Sequence, residues 1–184
     1  MKRILTVIAL AIVTLSAFAQ KNTPAGMRME IAEIEQDDNE FSIFTYKDDD
    51  GTVGYYLSLG HVYRLLEVTR NDESDFTLDH VNETCLFLGA DSEEASATIE
   101  TLMELFDAPL ATVKEFPCRL STGAERLGEP ATTTCSVVKR LLQGKRLCFM
   151  FQSGGHTVQA DLTKPALKSL RMSLNLHKKM RKDK

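Results

Sequence analysis

The hydrophobic pattern of the chain opens with an almost wholly apolar run over residues 4–15, which follows Lys2 and Arg3 and precedes Ala17-Phe18-Ala19. This run of 12 residues fits the ~7–15-residue apolar core of a secretory signal peptide and is shorter than the ~20 residues that a membrane-spanning helix needs. The small residues at 17 and 19 are those that signal peptidase requires. The pattern therefore predicts a signal peptide rather than a buried helix or a membrane anchor.

The mature protein is expected to begin after cleavage between Ala19 and Gln20, with residues 1–19 removed. The short basic start is typical of bacterial signals, so we expect export to the periplasm or to the extracellular space. Residues 20–26 have the composition of a flexible leader, and residues 27–184 are long enough to bury one core. We therefore expect a single domain over 27–184, with no further stretch apolar enough to span a bilayer.

Beyond the leader, apolar and polar positions alternate over residues 27–31, which predicts a β-strand that buries one face. Segments 41–46 and 53–59 are rich in aromatic and β-branched residues, and they flank the acidic segment Asp48-Asp49-Asp50-Gly51. An Asp-Gly pair between two apolar runs predicts a hairpin, because glycine accepts the positive φ that the turn requires. The other strand predictions in this half are 62–68, which a short helix also fits, and 76–88.

After position 90 the hydrophobic period changes from two residues to 3.6, which predicts an amphipathic helix at about 92–107. Asp91 and Glu94 have the spacing of a capping box at its start, and Pro109 ends it. The apolar face of this helix is expected to consist of Ala95, Ile99, Leu102, Met103 and Phe106.

The second half returns to strands and then to a helix. Residues 121–130 contain two glycines and a proline and are predicted to form a loop. The final helix is predicted at about 164–178, with Pro165 in its first turn, where a missing N–H costs little. Its buried face is expected to include Leu167, Leu170 and Leu174. The strand predictions are 113–120, 132–142, 145–152 and 156–161.

These elements predict an α+β fold, in which antiparallel sheet built from hairpins is covered on one face by the two amphipathic helices. The order of strands followed by a helix occurs twice. Ala90-Asp91 and Ala160-Asp161 precede the two helices, which suggests a weak strand–strand–helix internal repeat.

Charge divides the chain unevenly. Residues 21–107 carry 5 Lys/Arg and 21 Asp/Glu, a net charge of −16, whereas residues 108–184 carry 15 Lys/Arg and 5 Asp/Glu, a net charge of +10. Neither half has enough apolar faces for a core of its own, so we expect the halves to share one core and to attract each other by charge. An anionic partner for the second half is the alternative. The whole-chain charge of −4 and the absence of Trp argue against general nucleic-acid binding.

Four cysteines, Cys85, Cys118, Cys135 and Cys148, would allow two disulfides in an oxidising compartment. Buried free thiols that behave as small apolar side chains are the alternative, and the sequence leaves both open. Their neighbours are apolar, which disfavours the reactive thiolate. We therefore predict no hydrolytic or redox activity centred on the cysteines.

Common catalytic, phosphate-binding and metal-binding signatures are absent from the sequence. The best nucleophile–base pair is Cys148 with His156, but only a distorted hairpin register would bring them together. The segment 48–51 fails the calcium-loop spacing at both ends, so an exposed hairpin tip is the better interpretation. We predict no catalytic, cofactor-binding or metal-binding residues.

Three weaker patterns each have an ordinary structural explanation. Tyr55, Tyr56 and Tyr63 would suit a ligand surface, but tyrosine is also common in strands. Asn82-Glu83-Thr84 matches the glycan acceptor pattern, which has little meaning in a bacterial protein. The basic residues of 178–184 would suit an anionic surface, but they also complement the dipole of a helix end.

We expect an exported, non-enzymatic domain that binds a protein or an envelope component. One alternative is a carrier of a small apolar ligand, which a deep pocket lined by Phe and Met would favour. The other is an enzyme whose site is assembled from scattered Cys, His and acidic residues, which a cleft pairing such groups would favour. An exposed apolar patch would favour the binding module.

Overall fold

The computed structural model of the protein describes residues 25–37, 39–70, 73–121, 126–141, 144–153 and 156–182, and at 60–82, 151–158 and 181–182 it describes the backbone only. The expected signal peptide and most of the leader lie outside these residues.

The order of elements is four strands and a helix, followed by four strands and a helix. The first set is β1 (Arg28–Gln36), β2 (Asn39–Lys47), β3 (Val53–Arg70), β4 (Glu73–Gly89) and α1 (Ser92–Leu105). The second set is β5 (Val113–Ser121), β6 (Leu127–Arg140), β7 (Gly144–Ser153), β8 (His156–Thr163) and α2 (Lys164–Lys182).

The strands form one eight-stranded sheet in which each strand pairs antiparallel with its neighbour in the chain. The prediction of an α+β fold with an antiparallel sheet and two helices is therefore confirmed. The two halves of the sheet meet in the β4–β5 ladder, which is the shortest among the described strands. It contains four residue pairs, from Glu83 opposite Ser121 to Leu86 opposite Cys118.

One apolar core joins both halves. It lies between both helices and one face of the sheet, and every strand contributes to it. Its largest fully buried side chains include Phe41, Tyr55, Leu86, Ile99, Leu147 and Phe149. A smaller cluster on the opposite face contains Phe44, Tyr46, Tyr56, Cys85 and Leu127.

The sheet curves until its two edge strands meet. The side-chain amide of Gln36, at the end of β1, donates to the Asp161 carbonyl of β8 (2.9 Å). The side-chain oxygen Oε1 of Gln36 accepts from the backbone N–H (2.9 Å) and the hydroxyl (2.6 Å) of Thr163. One carboxamide thus makes the donor and acceptor contacts that a neighbouring strand would make, and it closes this end of the sheet.

The two strand-to-helix joints are built differently. In the first half, Gly89 has φ +152°, and a Cβ at this position would lie 2.4 Å from the Glu94 Cβ and 2.9 Å from the Ala95 nitrogen. Asp91 caps α1 by accepting from the N–H groups of Glu93 and Glu94. In the second half, β8 runs directly into α2, and the Thr163 hydroxyl accepts from the Ala166 N–H (3.3 Å).

Several predicted boundaries differ from the structure. The Glu94 carboxylate accepts from the Ala90 N–H rather than from that of Asp91, so the capping box is shifted by one residue. Residues 127–130 are not loop: β6 begins at Leu127, because this backbone pairs with β5 despite its glycine and proline. The structure begins α1 at Ser92 as predicted but ends it at Leu105, and it extends α2 to Lys182. Segment 62–68, where a short helix also fitted, is strand.

Candidate functional site

The sheet splits where β4 and β5 part. Their ladder ends at Leu86 and Cys118, although β4 continues to Gly89 and β5 begins five residues earlier, at Val113. Over these stretches each strand is paired only on its far side, β4 with β3 and β5 with β6. Two strand edges therefore face each other without a ladder between them.

Two local features favour this separation. Tyr55 and Tyr56 lie opposite Gly89 and Phe87, which leaves Leu88 as the extra residue of a β-bulge. On β5, Pro117 is the first residue beyond the end of the ladder at Cys118. Proline has no N–H to donate to a neighbouring strand. The ladder therefore ends where the chain cannot continue it regularly.

Helix α1 covers the split and turns it into a groove of about 500 Å³, which we call the α1–β5 groove. Its strand walls are Phe87, Leu88 and Gly89 on one side and Lys114, Glu115, Phe116 and Pro117 on the other; Glu94, Ala97, Thr98 and Thr101 of α1 form its third wall.

The α1–β5 groove combines aromatic surface with charge. Phe116 is buried at its base against Phe149, with ring centroids 6.4 Å apart, and the Lys114 ammonium lies 5.5 Å from the Phe116 ring centroid. Phe87 packs on Tyr56 at 5.4 Å on the opposite face of the sheet. The Thr98 hydroxyl donates to the Leu88 carbonyl (2.7 Å), which anchors the helix to the bulge. The groove therefore presents both apolar and polar surface.

A smaller cleft of about 230 Å³ lies where the edge strands meet, and we call it the seam cleft. Its lining is polar and consists of Gln36, Asp37, Asn39, Arg146, Gln159 and Asp161. The buried Arg146 guanidinium donates to Asp37 (2.5 Å), and the Asp161 carboxylate accepts from Arg140 (2.6 and 3.0 Å). Burial acts to raise the pKa of Asp161, but the hydrogen bonds and charge of Arg140, together with hydrogen bonds from Cys148 and Gln159, outweigh it and hold that pKa below its usual value. The cleft is thus a set of mutually neutralised ion pairs.

The four cysteines are buried and unbridged, so the alternative of free thiols describes the structure. Cys85 lies opposite Arg119, beside Cys118, and Cys135 lies opposite Phe149, beside Cys148. Adjacent residues of a strand point to opposite faces, so the members of each pair are on different sides of the sheet. A disulfide within either pair would need the backbone to move.

The environments of the thiols keep them protonated at neutral pH. Burial raises the pKa of Cys118 to about 11 and that of Cys135 to about 12. Burial also raises the pKa of Cys85, with a further contribution from Glu83. Cys148 is less apolar in its surroundings than expected: burial and a hydrogen bond to Asp161 raise its pKa, and Arg140 Nη2 lies 3.9 Å from its sulfur.

The structure does not bring the sequence-based catalytic pair together. Cys148 lies opposite Asp161 in the β7–β8 ladder, whereas His156 lies opposite Ser153 at the turn. Within the part of the chain that the structure describes, no group of three or more His, Cys, Asp or Glu residues could hold a metal ion.

The acidic segment 48–51 forms the turn between β2 and β3. The Asp48 carboxylate accepts from Arg119 of β5 (2.8 and 2.9 Å), and Asp50 accepts from the Thr52 N–H (2.8 Å). Asp49 is exposed and lies 3.7 Å from Arg126. These carboxylates are therefore used in the turn and in contacts with the second half.

The remaining patterns do not converge on one site. Tyr55 is buried on the helix side near His177, whereas Tyr56 is buried on the opposite face; the side chain of Tyr63 lies outside the described residues. Glu83 and Thr84 of the glycan pattern are buried in β4. Lys178 of the basic C-terminal run is paired with Glu93.

Sequence reasoning missed the α1–β5 groove. Its existence depends on where the ladder between β4 and β5 ends, and that ladder pairs residues as distant in the chain as Glu83 and Ser121. Local periodicity does not carry that information. Pro117, inside a predicted strand, is the one local signal that could have indicated a divergent edge.

Neither helix in the described part of the chain has the length and apolarity that a bilayer crossing requires. No protein-family model matches the chain, and comparison with curated proteins and with solved structures gives no match either.

Proposed function

We propose that this protein is an exported, non-enzymatic binding module that holds a segment of a partner protein in the α1–β5 groove. The observation that carries the proposal is the opening of the sheet between β4 and β5 beneath α1. Its volume falls within the ~300–1,000 Å³ that is usual for ligand sites.

The lining favours a polypeptide over a small apolar molecule. A carrier of an apolar ligand would need an enclosed pocket dominated by Phe and Met. The α1–β5 groove instead contains two phenylalanines together with Thr98, Thr101 and three charged residues, and no methionine. A polypeptide presents apolar side chains and polar main chain together, which matches this mixture.

The chemistry of the thiols argues against the enzymatic alternative. A thiol nucleophile needs a base or cation that stabilises the thiolate. Arg140 Nη2 lies 3.9 Å from the Cys148 sulfur and acts to lower the pKa of the thiol, but burial and the neighbouring Asp161 carboxylate raise that pKa by more, so the thiolate is disfavoured.

Export is part of the proposal. The signal pattern of residues 1–19 supports cleavage between Ala19 and Gln20 and a periplasmic or extracellular protein, in a bacterial host. The mass of the intact protein recovered from its native cell should correspond to a chain that begins at Gln20. Retention of residues 4–15 would contradict export by this route.

We also propose that residues 27–184 act as one domain whose halves descend from a duplicated hairpin-and-helix unit. Each half has four strands that pair with chain neighbours and then a helix. The shared core supports a single domain because it draws on both sets.

The binding site can be tested by selecting peptides from a phage-displayed library of random dodecapeptides on the mature protein. Clones that also bind the Ala97→Trp variant are removed, because Ala97 is exposed on the α1 wall and an indole there would fill the groove. We expect peptides that bind the wild-type protein and lose at least tenfold in affinity to Ala97→Trp.

Glu104→Trp is the matched control, since Glu104 is exposed on α1 two turns further on and does not line the groove. Binding should be unchanged in this variant, and thermal unfolding should show that both variants fold. If the library yields no peptide, or only peptides that bind Ala97→Trp as well as wild type, the proposed site is wrong.

A further inference from the structure

We infer that the partner segment binds as an extended β-strand, which pairs its main chain with the free edge of β5 in the α1–β5 groove. This inference rests on the proposed function and specifies the chemistry of recognition: hydrogen bonds between main chains, with side-chain contacts in second place. It follows from the direction in which the backbone groups of β5 point.

The direction is set by a bulge at the start of β5. The Ala111 N–H donates to the Val137 carbonyl (2.9 Å), and the Val137 N–H donates to the Thr112 carbonyl (2.9 Å). Ala111 and Thr112, immediately before β5, thus share one residue of β6, with Ala111 at φ +63°, as in a G1 bulge. The carbonyl of Thr112 therefore points towards β6.

Backbone groups alternate in direction along an antiparallel strand. Since the backbone carbonyl of Thr112 points towards β6, the backbone N–H and C=O groups of Lys114 and Phe116 do so as well. The backbone groups of Val113 and Glu115 point towards β4. Pro117 belongs to the second set, so its missing N–H leaves the ladder to β6 intact. Arg119 also belongs to it and is paired with Cys85 in the short β4–β5 ladder.

The N–H and carbonyl groups of Val113 and Glu115, and the carbonyl of Pro117, are thus directed into the split, where β4 no longer pairs with β5. By the same alternation, Phe87 follows Cys85 and presents its backbone groups from the opposite wall. At about 3.3 Å per residue, the free edge of β5 over 113–117 is about 16 Å long, which is enough to pair with a short strand. Adding a strand to such an edge is a known mode of peptide recognition.

The two faces of the split would read alternate side chains of the bound strand. Ala97, Thr98 and Thr101 of α1 line the inner face together with Phe116, which leaves room for a small or medium apolar side chain. Phe87 lines the outer face, where it packs on Tyr56. A free apolar molecule is the other occupant to consider, and it would leave the main-chain donors and acceptors of both walls unpaired.

Amide hydrogen exchange in the free mature protein, followed by NMR, tests the edge directly. We expect the amides of Lys114 and Phe116 to be protected by the ladder to β6, and those of Val113 and Glu115 to exchange at least a hundredfold faster. Equal protection of all four amides would overturn the inference, whatever the protein binds.

The second test uses the tightest-binding dodecapeptide from the phage selection, in which clones that also bind Ala97→Trp are discarded. Addition of this peptide should slow exchange at Val113 and Glu115. Single N-methyl substitutions along the peptide should weaken binding at every second position and leave the alternate positions within twofold. A peptide that binds but leaves both amides unprotected would overturn strand addition while the proposed binding function stands. Failure to recover any peptide would contradict both strand addition and the proposed binding function.

A variant of β5 completes the test. Glu115→Pro removes one donor that faces the groove and none that faces β6, so the protein should fold. One lost hydrogen bond should weaken the same peptide by roughly two- to tenfold. Glu115→Gln keeps the N–H and removes only the charge, and it should bind as wild type does. If Glu115→Gln weakens binding as much as Glu115→Pro, recognition depends on the carboxylate and the inference is wrong. If Glu115→Pro unfolds, the assigned backbone direction is wrong.

Discussion

The two halves of the molecule have the same order of elements and opposite charge. Residues 21–107 carry a net charge of −16 and residues 108–184 a net charge of +10. Of the nine ion pairs in the described residues, six join an acid of the first half to a base of the second, and none has the reverse polarity. These six are Asp37–Arg146, Asp48–Arg119, Asp49–Arg126, Glu93–Lys178, Glu100–Arg171 and Asp107–Lys164.

Ion pairs and apolar burial contribute differently to the association of the two halves. Exposed ion pairs contribute only ~0–1 kcal/mol each and are screened by salt. The shared apolar core contributes more, at about 25 cal/mol for each Å² removed from water. We therefore expect charge to govern how the halves meet and apolar burial to hold them together. The short β4–β5 ladder leaves room between the halves for the α1–β5 groove.

The largest expected effect concerns the strand-to-helix joints, which the two halves build differently. Gly89→Ala places a Cβ against the backbone of α1 at a φ that L-residues rarely adopt. We expect a loss of about 3–4 kcal/mol in the free energy of unfolding, from backbone strain and overpacking together. Chemical denaturation measures this, and Gly51→Ala is the control, because it has φ +90° with nothing within 4 Å of the added Cβ. The control should lose only about 1 kcal/mol. Equal losses would show that the close approach of α1 to Gly89 is unimportant.

The second prediction concerns an ion pair inside the acidic half. Arg28 donates to both oxygens of Glu83 (3.0 and 2.7 Å), and the Glu83 side chain is only 2% exposed. Glu83→Gln should destabilise the protein by about 2–3 kcal/mol, less than the ~3–5 kcal/mol of a fully buried pair because 17% of Arg28 reaches solvent. Glu30→Gln, which removes the more exposed partner of Arg28, should cost about 1 kcal/mol or less. A cost for Glu30→Gln as large as that for Glu83→Gln would contradict the role given to burial.

The third prediction tests the attraction between the halves. Glu100 and Arg171 pair at 2.6 Å near the middle of α1 and α2, away from the helix ends. Glu100→Arg should destabilise the protein by about 0.5–1 kcal/mol at low salt, and Glu100→Arg with Arg171→Glu should recover most of that loss. The difference between the single and double variants should shrink in 1 M salt. A swap that recovers nothing would mean that this pair does not contribute to docking.

The fourth prediction concerns the linker between the halves. Ala111 has φ +63° in the turn closed by the Thr112 N–H and the Pro109 carbonyl (3.3 Å), a position that favours glycine. Ala111→Gly relieves ~1–2 kcal/mol of strain and loses ~0.5–1 kcal/mol through the more flexible unfolded chain. A net gain of about 0.5 kcal/mol should appear as a higher denaturation midpoint with an unchanged slope. A loss of stability would mean that the alanine conformation is not strained.

The sequence predicted the fold class because both helices have a clear 3.6-residue period and their positions depend on neighbouring residues. Ala95, Ile99 and Leu102 face the core as their spacing predicts. The start of β6 at Leu127 and the α1–β5 groove could not be predicted for the same reason. Both depend on pairing between strands whose residues are distant in the sequence. Leu127 becomes strand because Ser121 lies opposite it, and the groove exists because no residue of β4 lies opposite Phe116.

The smallest predicted effect concerns pH, where the halves should again behave oppositely. Burial raises the pKa of Glu30 in the first half, although Arg28 acts against it, so its contribution to stability is complete below its unfolded-state pKa of ~4.3 and is lost as pH rises through the higher folded pKa. Burial acts to raise the pKa of Asp161 in the second half, but Arg140, Cys148 and Gln159 together outweigh burial and lower that pKa. The contribution of Asp161 to stability is therefore present above its unfolded-state pKa of ~3.9 and is lost as pH falls through the lower folded pKa. Urea unfolding between pH 3 and 7 should therefore show that Glu30→Gln gains stability relative to wild type as pH rises, whereas Asp161→Asn loses it. The same sign for both variants would contradict the opposite pKa shifts on which the contrast depends.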